Sequence, residues 1–211
     1  MENILSEINE LLQKGRAKQV KALVQQALDE GIEAGAILSQ GLLGGMSIIG
    51  EKFKNNEVYV PEVMIAARAM NMGMEVLKPV LVQADTQSAG KVVIGTVKGD
   101  LHDIGKNLVK IMFESKGFDV IDLGTDVSPE AFVSTAAQEN ADIIACSALL
   151  TTTMTVMKDV VEEAKNQGIR EKVIIMVGGA PVTEHFCESI GADIFEPDAT
   201  SASESAYARL H

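Results

Sequence analysis

Tryptophan is absent from this sequence, and all aromatic residues together make up 4% of it. Aromatic side chains can therefore fill only a small part of the interior. Basic residues are also scarce, with 18 Lys and Arg against 30 Asp and Glu and a formal net charge of −12. Phosphate contacts need clustered Lys and Arg, so nucleic acid is excluded as a partner. The acidity serves solubility, and it suits a partner with a basic docking face. Only two cysteines occur, Cys146 and Cys187, the first in an apolar run and the second in a helical stretch. They form neither a disulfide framework nor a zinc spacing, and both read as reduced structural residues. No apolar run approaches membrane-spanning length. The start, Met1-Glu2-Asn3-Ile4-Leu5-Ser6-Glu7, is acidic and has no signal-peptide pattern. The expectation is a cytoplasmic protein with no membrane partner.

What is present is a foldable chain. Its 211 residues are 46% apolar and 23% charged, enough for one large domain or two small ones. Residues from about 2 to 86 show helical periodicity and no strand alternation. One stripe runs through Ile4, Leu5, Ile8, Leu11 and Leu12 to Gly15, and a second through Val20, Leu23, Val24, Ala27 and Leu28 to Gly31. A third extends from near Glu33 to about Lys54. A fourth begins at Pro61, which suits a first helical turn. It turns Val63, Met64, Ala67, Met70, Met74 and Leu77 inward, and Pro79 should kink or end its regular part. Four helices with short connections predict an antiparallel bundle over residues 1–86. The third helix carries Gly41, Gly44, Gly45 and Gly50, which fits either close helix packing or a bulky neighbour.

The polar stretch from Gln83 to Gly90 reads as a linker. After it, strand and helix alternate. Apolar runs at 92–97, 118–124, 142–146, 173–177 and 193–195 are separated by helical segments, the fourth helix of this half running from Pro181 to Ser189. This predicts an α/β domain over 87–211, a doubly wound, flavodoxin-like (Rossmann-like) sheet of five parallel strands. The strand order expected for that pattern is 2-1-3-4-5, with its switch point between strands one and three.

The stretch Val97-Lys98-Gly99-Asp100-Leu101-His102-Asp103-Ile104-Gly105-Lys106-Asn107 follows the first of these strands. His102 thus falls at a carboxyl end, where open α/β sheets bind ligands. Asp100, two residues earlier, can accept a proton from one imidazole nitrogen and leave the other oriented and more basic, the usual support of a metal-ligating histidine. By itself Asp-x-His is more commonly an N-cap beside a surface histidine. Two further stretches add weight: Ser147-Ala148-Leu149 ends the third strand and Gly178-Gly179 the fourth, on the same rim. His185 and His211 carry no motif and read as surface residues.

The set Asp-x-His-x-x-Gly, Ser-x-Leu and Gly-Gly, in this order and at these separations, resembles the signature of cobalamin-binding domains that hold their cofactor through a protein histidine. The resemblance implies that His102 is the lower axial cobalt ligand and Asp100 its hydrogen-bond partner, with the loop Gly99, Leu101, Asp103, Ile104 and Gly105 around the cofactor. In the similar module of methionine synthase a hydroxyl continues this relay; here that position holds Thr153. Ser147, Leu149 and Thr151 would line the slot for the nucleotide tail. Gly178 and Gly179 would let the tail lie against backbone, and Ala199 would sit near its base. Upstream, Gly45-Met46-Ser47-Ile48-Ile49-Gly50-Glu51-Lys52-Phe53 and Val58-Tyr59-Val60-Pro61-Glu62-Val63 resemble the helical cap of methionine synthase and of methyl-carrying corrinoid proteins. Phe53 and Val60 occupy the positions of that cap's two methyl-shielding contacts.

The implied function is that of a corrinoid protein binding cobalamin (methylcobalamin or a related corrinoid) base-off and His-on. It would be a carrier rather than a catalyst. It would take a methyl group from a substrate-specific corrinoid methyltransferase and present it to a second methyltransferase, with a reductive activase as a further partner. The methyl donor is open among methylamines, betaines, methanol and methoxylated aromatics. Three rivals stand beside it. The cobalamin-binding subunit of an adenosylcobalamin mutase shares the C-terminal motif but usually lacks this cap. A cobalamin-dependent sensor would need a DNA-binding element, and no basic helix-turn-helix is present. A flavodoxin-like protein without corrinoid would show no corrinoid spectrum.

Overall fold

The computed structural model describes residues 2–83 and 88–211, in two compact units, Met1–Gln87 and Ser88–His211. Residues 84–87, the middle of the stretch read as a linker, lie outside the described residues.

The first unit is helical. Helix α1 (Glu2–Gln13) buries Leu5, Ile8 and Leu12, and α2 (Ala17–Asp29) buries Val20, Val24 and Ala27. These are the i, i+3, i+4, i+7 positions of their stripes, and their burial rather than local propensity stabilises such short helices. The third rod is α-helical at its ends, α3 (Ala34–Ala36) and α4 (Gly44–Lys54), and π-helical between them over Ile37–Leu43. Of the two readings of its glycines, close packing holds for Gly41 and Gly45. A Cβ on Gly41 would lie 3.1 Å from Ile8 Cγ2, and one on Gly45 would lie 3.0 Å from Leu12 Cδ2.

Helix α5 (Val60–Gln83) departs from the sequence reading at Met64 and removes one of the two alternatives at Pro79. It continues through Pro79 rather than ending there. A proline inside a helix costs about 3 kcal/mol. Burial of Leu81 on the far side contributes roughly 1.5–3 kcal/mol and offsets most of that cost. Met64, expected to face inward, is 56% exposed, beside Ile65 at 53%, while Val63, Ala66, Ala67 and Met70 make the buried face. The inward stripe is one position narrower than the run of apolar residues implied.

The second unit is the doubly wound sheet. Strands β1 (Lys91–Thr96), β2 (Asp119–Asp122), β3 (Ile143–Ser147), β4 (Ile174–Gly178) and β5 (Ile194–Phe195) pair in parallel in the order β2-β1-β3-β4-β5. Their β-branched, almost unbroken apolar runs are what a sheet covered on both faces requires. On one face α6 (Ile104–Ser115) and α10 (Ala199–Leu210) bring Phe113, Ala202 and Ala206 against Val92, Ile94 and Ile143. On the other, α7 (Pro129–Glu139), α8 (Val156–Asn166) and α9 (Glu184–Ile190) bring Phe132, Val160 and Cys187 against Val93, Ile144 and Ile175. Helix α7 starts as its sequence reads, with Ser128 Oγ accepting from Ala131 N at 3.3 Å and Pro129 in the first turn. Helix α9 starts at Glu184 rather than Pro181, because the Thr183 hydroxyl accepts from Phe186 N and caps it there. Both cysteines are free and buried, and burial pushes the Cys146 thiol up to about 12. No helix among the described residues is long and apolar enough to cross a membrane.

Candidate functional site

The chain leaves β1 at Thr96 and turns at once. Asp100 N donates to the Val97 carbonyl at 3.1 Å, and Gly99 takes φ +83°, a conformation that favours glycine. The turn drives the Asp100 side chain inward until it is 0% exposed. A buried carboxylate must be fully hydrogen-bonded, and this one is. Oδ1 accepts from His102 Nδ1 at 2.6 Å and from His102 N at 3.1 Å. Oδ2 accepts from Thr153 Oγ1 at 2.7 Å, Leu149 N at 2.8 Å and Leu150 N at 3.3 Å. Burial pushes the Asp100 carboxyl up. The donors, led by Leu149 N–H, the Thr153 hydroxyl and His102, outweigh it and hold the group well below the usual carboxylate range.

An ionised carboxylate only accepts, so the proton between the two side chains sits on His102 Nδ1 and the Nε2 lone pair is free. The imidazole is 52% exposed and Nε2 has no hydrogen-bond partner among the described residues. A carboxylate on one ring nitrogen with the other ring nitrogen open is an arrangement able to support metal ligation. Asp100, His102, Leu149 and Thr153, singled out from the sequence at four separate positions, are joined here around one carboxylate.

The switch point lies between β1 and β3. Thr96, Ser147 and Gly178 stand in register across the rim. The two glycines behind them differ. A Cβ on Gly178 would meet nothing within 4 Å. Gly179 has φ +126°, and a Cβ there would lie 1.8 Å from the Ala148 carbonyl oxygen. Gly178 thus borders open space, whereas Gly179 is dictated by backbone. Leu101 and Ile104, each 73% exposed, and the exposed Leu149 and Leu150 give the rim an apolar border. Thr151 is exposed beside them. Ala199 is buried at the start of α10, where Asp198 caps the helix by accepting from Ser201 N at 2.8 Å. Asp103 and Gly105 lie at the start of α6, with Asp103 accepting from Asn107 Nδ2 at 3.1 Å. Phe53 and Val60 belong to the helical unit, at the end of α4 and the start of α5, and both are half-buried.

Several supports of this site escaped the sequence reading. Thr96 Oγ1 donates to the His102 carbonyl at 2.9 Å. Asp126 Oδ1 accepts from Gly99 N at 2.7 Å. Lys106, on the helix that follows the loop, is 2% exposed; its Nζ donates to Asp122 Oδ1 at 2.6 Å and Asn107 Oδ1 at 2.7 Å. That pair ties the start of α6 to the end of β2. The available signal was a lone lysine in the first turn of a helix, where the dipole disfavours a cation.

No group of three or more His, Cys, Asp or Glu able to hold a metal occurs among the described residues. A metal bound at His102 must therefore bring its other ligands with it, as a macrocycle does. The outward Nε2, the apolar border and the open space before Gly178 fit such a group.

Fold and site together define a doubly wound sheet domain with one exposed, carboxylate-supported imidazole at its switch point. Comparison with known proteins narrows this class. Residues 90–206 match the family model of the B12 binding domain, and residues 4–78 match a second model of the same description. A corrinoid protein of Desulfitobacterium hafniense is 39% identical over 207 residues, covering 97% of this chain and 96% of its own. Trimethylamine corrinoid protein 1 of Methanosarcina acetivorans is 44% identical over 180 residues, covering 84% of this chain and 83% of its own. Among solved structures, the methanol:cobalamin methyltransferase complex of Methanosarcina barkeri matches with a TM-score of 0.91 at 28% identity, over 100% of this chain and 80% of that one. The chain belongs to the corrinoid-protein family, and the cofactor it binds is cobalamin or a related corrinoid.

Proposed function

We propose that this protein is a methyl carrier that binds its corrinoid base-off, with His102 as the protein ligand to cobalt. The observation that carries the reading is the exposed imidazole fixed by the buried Asp100 at the switch point of the sheet. When bound, the corrinoid supplies a cobalt centre that accepts and gives up a methyl group. The chain's own residues do the rest. Asp100 keeps the proton on Nδ1, so that Nε2 presents a lone pair. Thr153 and the Leu149 and Leu150 amides stabilise the Asp100 charge. Ser147, Leu149, Thr151, Gly178 and Ala199 border the slot for the tail, Gly179 lets the backbone turn behind it, and Leu101 and Ile104 present apolar surface to the ring. Residues 1–86 form the cap domain and 87–211 the cofactor domain in this reading.

The partners are a substrate-specific methyltransferase and a second methyltransferase that accepts the methyl group, with a reductive activase to restore cobalt that has been oxidised. Two findings favour the carrier over a mutase subunit: the second B12-binding match over residues 4–78, and relatives named trimethylamine and dimethylamine corrinoid proteins. The test is reconstitution. Apoprotein loaded with hydroxocobalamin and reduced is mixed in turn with methyltransferases specific for methylamines, methanol and betaine and their substrates. One of them should convert the corrinoid spectrum to the methylated form. Failure to take up corrinoid at all would sink the reading.

The shielding role assigned to Phe53 and Val60 is supported by the match of the helical unit to a B12 binding domain. Phe53→Ala, loaded with methylcobalamin, should bind as much corrinoid as wild type and lose its methyl group several times faster under anaerobic illumination. An aromatic wall cages the departing radical, and alanine leaves a gap in it. Equal photolysis rates would return Phe53 to ordinary packing within its bundle.

A further inference from the structure

Asp126 is an exposed aspartate with φ +57°, in the loop between β2 and α7. The left-handed region costs a residue with a Cβ about 1–2 kcal/mol. Two residues earlier the same loop uses Gly124, at φ +81°, for its other left-handed turn. Conformation alone would favour glycine at 126 as well, so the side chain is the reason for the aspartate. Its Oδ1 accepts from Gly99 N at 2.7 Å, and its own N–H donates to the Asp100 carbonyl at 3.1 Å. These two bonds grip both ends of the dipeptide Gly99–Asp100. The loop is itself fixed to β1, with Val127 N donating to the Thr96 carbonyl at 3.0 Å and Thr96 N to the Gly124 carbonyl at 2.9 Å. Rotation of the Gly99–Asp100 segment would swing the Asp100 carboxylate away from His102 Nδ1.

We infer that Asp126 is a positioning residue: its carboxylate clamps Gly99 and thereby aims Asp100 at His102. It touches neither the imidazole nor the cofactor. The inference deepens the reading of His102 as the cobalt ligand, and the part concerning cobalt rests on that reading.

Two variants separate the clamp from a mere turn. D126G keeps the left-handed backbone and removes the acceptor. D126N keeps an acceptor oxygen and tolerates the left-handed region. The first measurement uses apoprotein at pH 9, where long-range 1H–15N spectra of the His102 ring report which nitrogen carries the proton. Wild type and D126N should show the Nδ1–H tautomer. In D126G the ratio of Nδ1–H to Nε2–H should fall about tenfold, the effect of losing one charge-assisted hydrogen bond, with little change in melting temperature because glycine relieves the left-handed strain. The second measurement loads each protein with hydroxocobalamin, reduces it to the Co(II) state and reads nitrogen superhyperfine splitting by electron paramagnetic resonance. The His-on fraction should fall in D126G and be restored in D126N. A wild-type tautomer ratio in D126G, or a loss in D126N equal to that in D126G, overturns the clamp. A tautomer shift in D126G together with a wild-type holoprotein lacking the splitting keeps the clamp and removes the ligand assignment instead.

Discussion

Gly178→Val should leave the fold standing and weaken corrinoid binding, whereas Gly179→Ala should destabilise the second unit itself. These neighbouring glycines look alike in the sequence, and the structure separates them. A side chain at 178 enters space that no atom occupies within 4 Å, and its backbone is an ordinary strand end paired with Ser147. Valine suits a strand, so the melting temperature should stay near wild type. The γ-methyls would stand where we place the nucleotide tail. Corrinoid affinity should fall by more than about tenfold, about 1.4 kcal/mol or more. At 179 the added Cβ meets the Ala148 carbonyl oxygen at 1.8 Å and the Ala148 carbonyl carbon at 2.9 Å. These are backbone atoms at the end of β3 and cannot rotate away. The φ of +126° adds strain of its own, and together they should cost about 3 kcal/mol or more. At roughly 2–4 °C per kcal/mol, the transition of the second unit should fall by about 6–12 °C. Thermal unfolding of the apoproteins and the corrinoid bound at saturation check both. Equal corrinoid content in Gly178→Val and wild type would remove the tail from this slot.

His102→Ala should abolish the protein–cobalt bond while the corrinoid remains in its slot. Wild type in the Co(II) state should show superhyperfine splitting from a single nitrogen, and the variant none. The effect on the apoprotein should be small. Asp100 keeps four of its five donors: the backbone N–H of residue 102, the Leu149 and Leu150 amides and the Thr153 hydroxyl. Loss of the fifth, a bond to an ionised carboxylate, costs about 1.5 kcal/mol. Survival of protein-nitrogen splitting in His102→Ala would mean that another residue holds the metal. His185 and His211 are the remaining histidines. His185 is exposed on α9, and His211 stacks on Tyr207 with ring centroids 4.4 Å apart.

The same residues show where sequence reading reaches its limit. Asp-x-His-x-x-Gly was legible because it is local: a single residue, Leu101, separates the acid from the imidazole, and the turn before them needs only Gly99. The relation of Asp100 to Leu149, Leu150 and Thr153 spans about fifty positions and depends on β1 and β3 lying side by side. Thr153 could be named only through the resemblance to cobalamin modules, and its 2.7 Å contact with Asp100 is a product of tertiary structure. Lys106 was passed over because its one local sign, a cation in the first turn of a helix, does not name a partner; Asp122 arrives from the strand β2.

What the sequence determined by itself is the order and type of the elements, the switch point between β1 and β3, and the histidine placed there. Those follow from short-range periodicity: unbroken β-branched runs for strands buried on both faces, 3.6-residue stripes for helices, and turn residues between them. Met64 was misread by the same local rules, and at Pro79 they left a kink or an end open, because the core around α5 decides which side chains are buried and whether a helix runs on past a proline. Only the tertiary structure decided which glycine is confined by backbone and which borders open space, and that Asp126 grips the His102 loop. Both are matters of distance between segments far apart in the chain, and packing distances arise only when the strands are laid side by side.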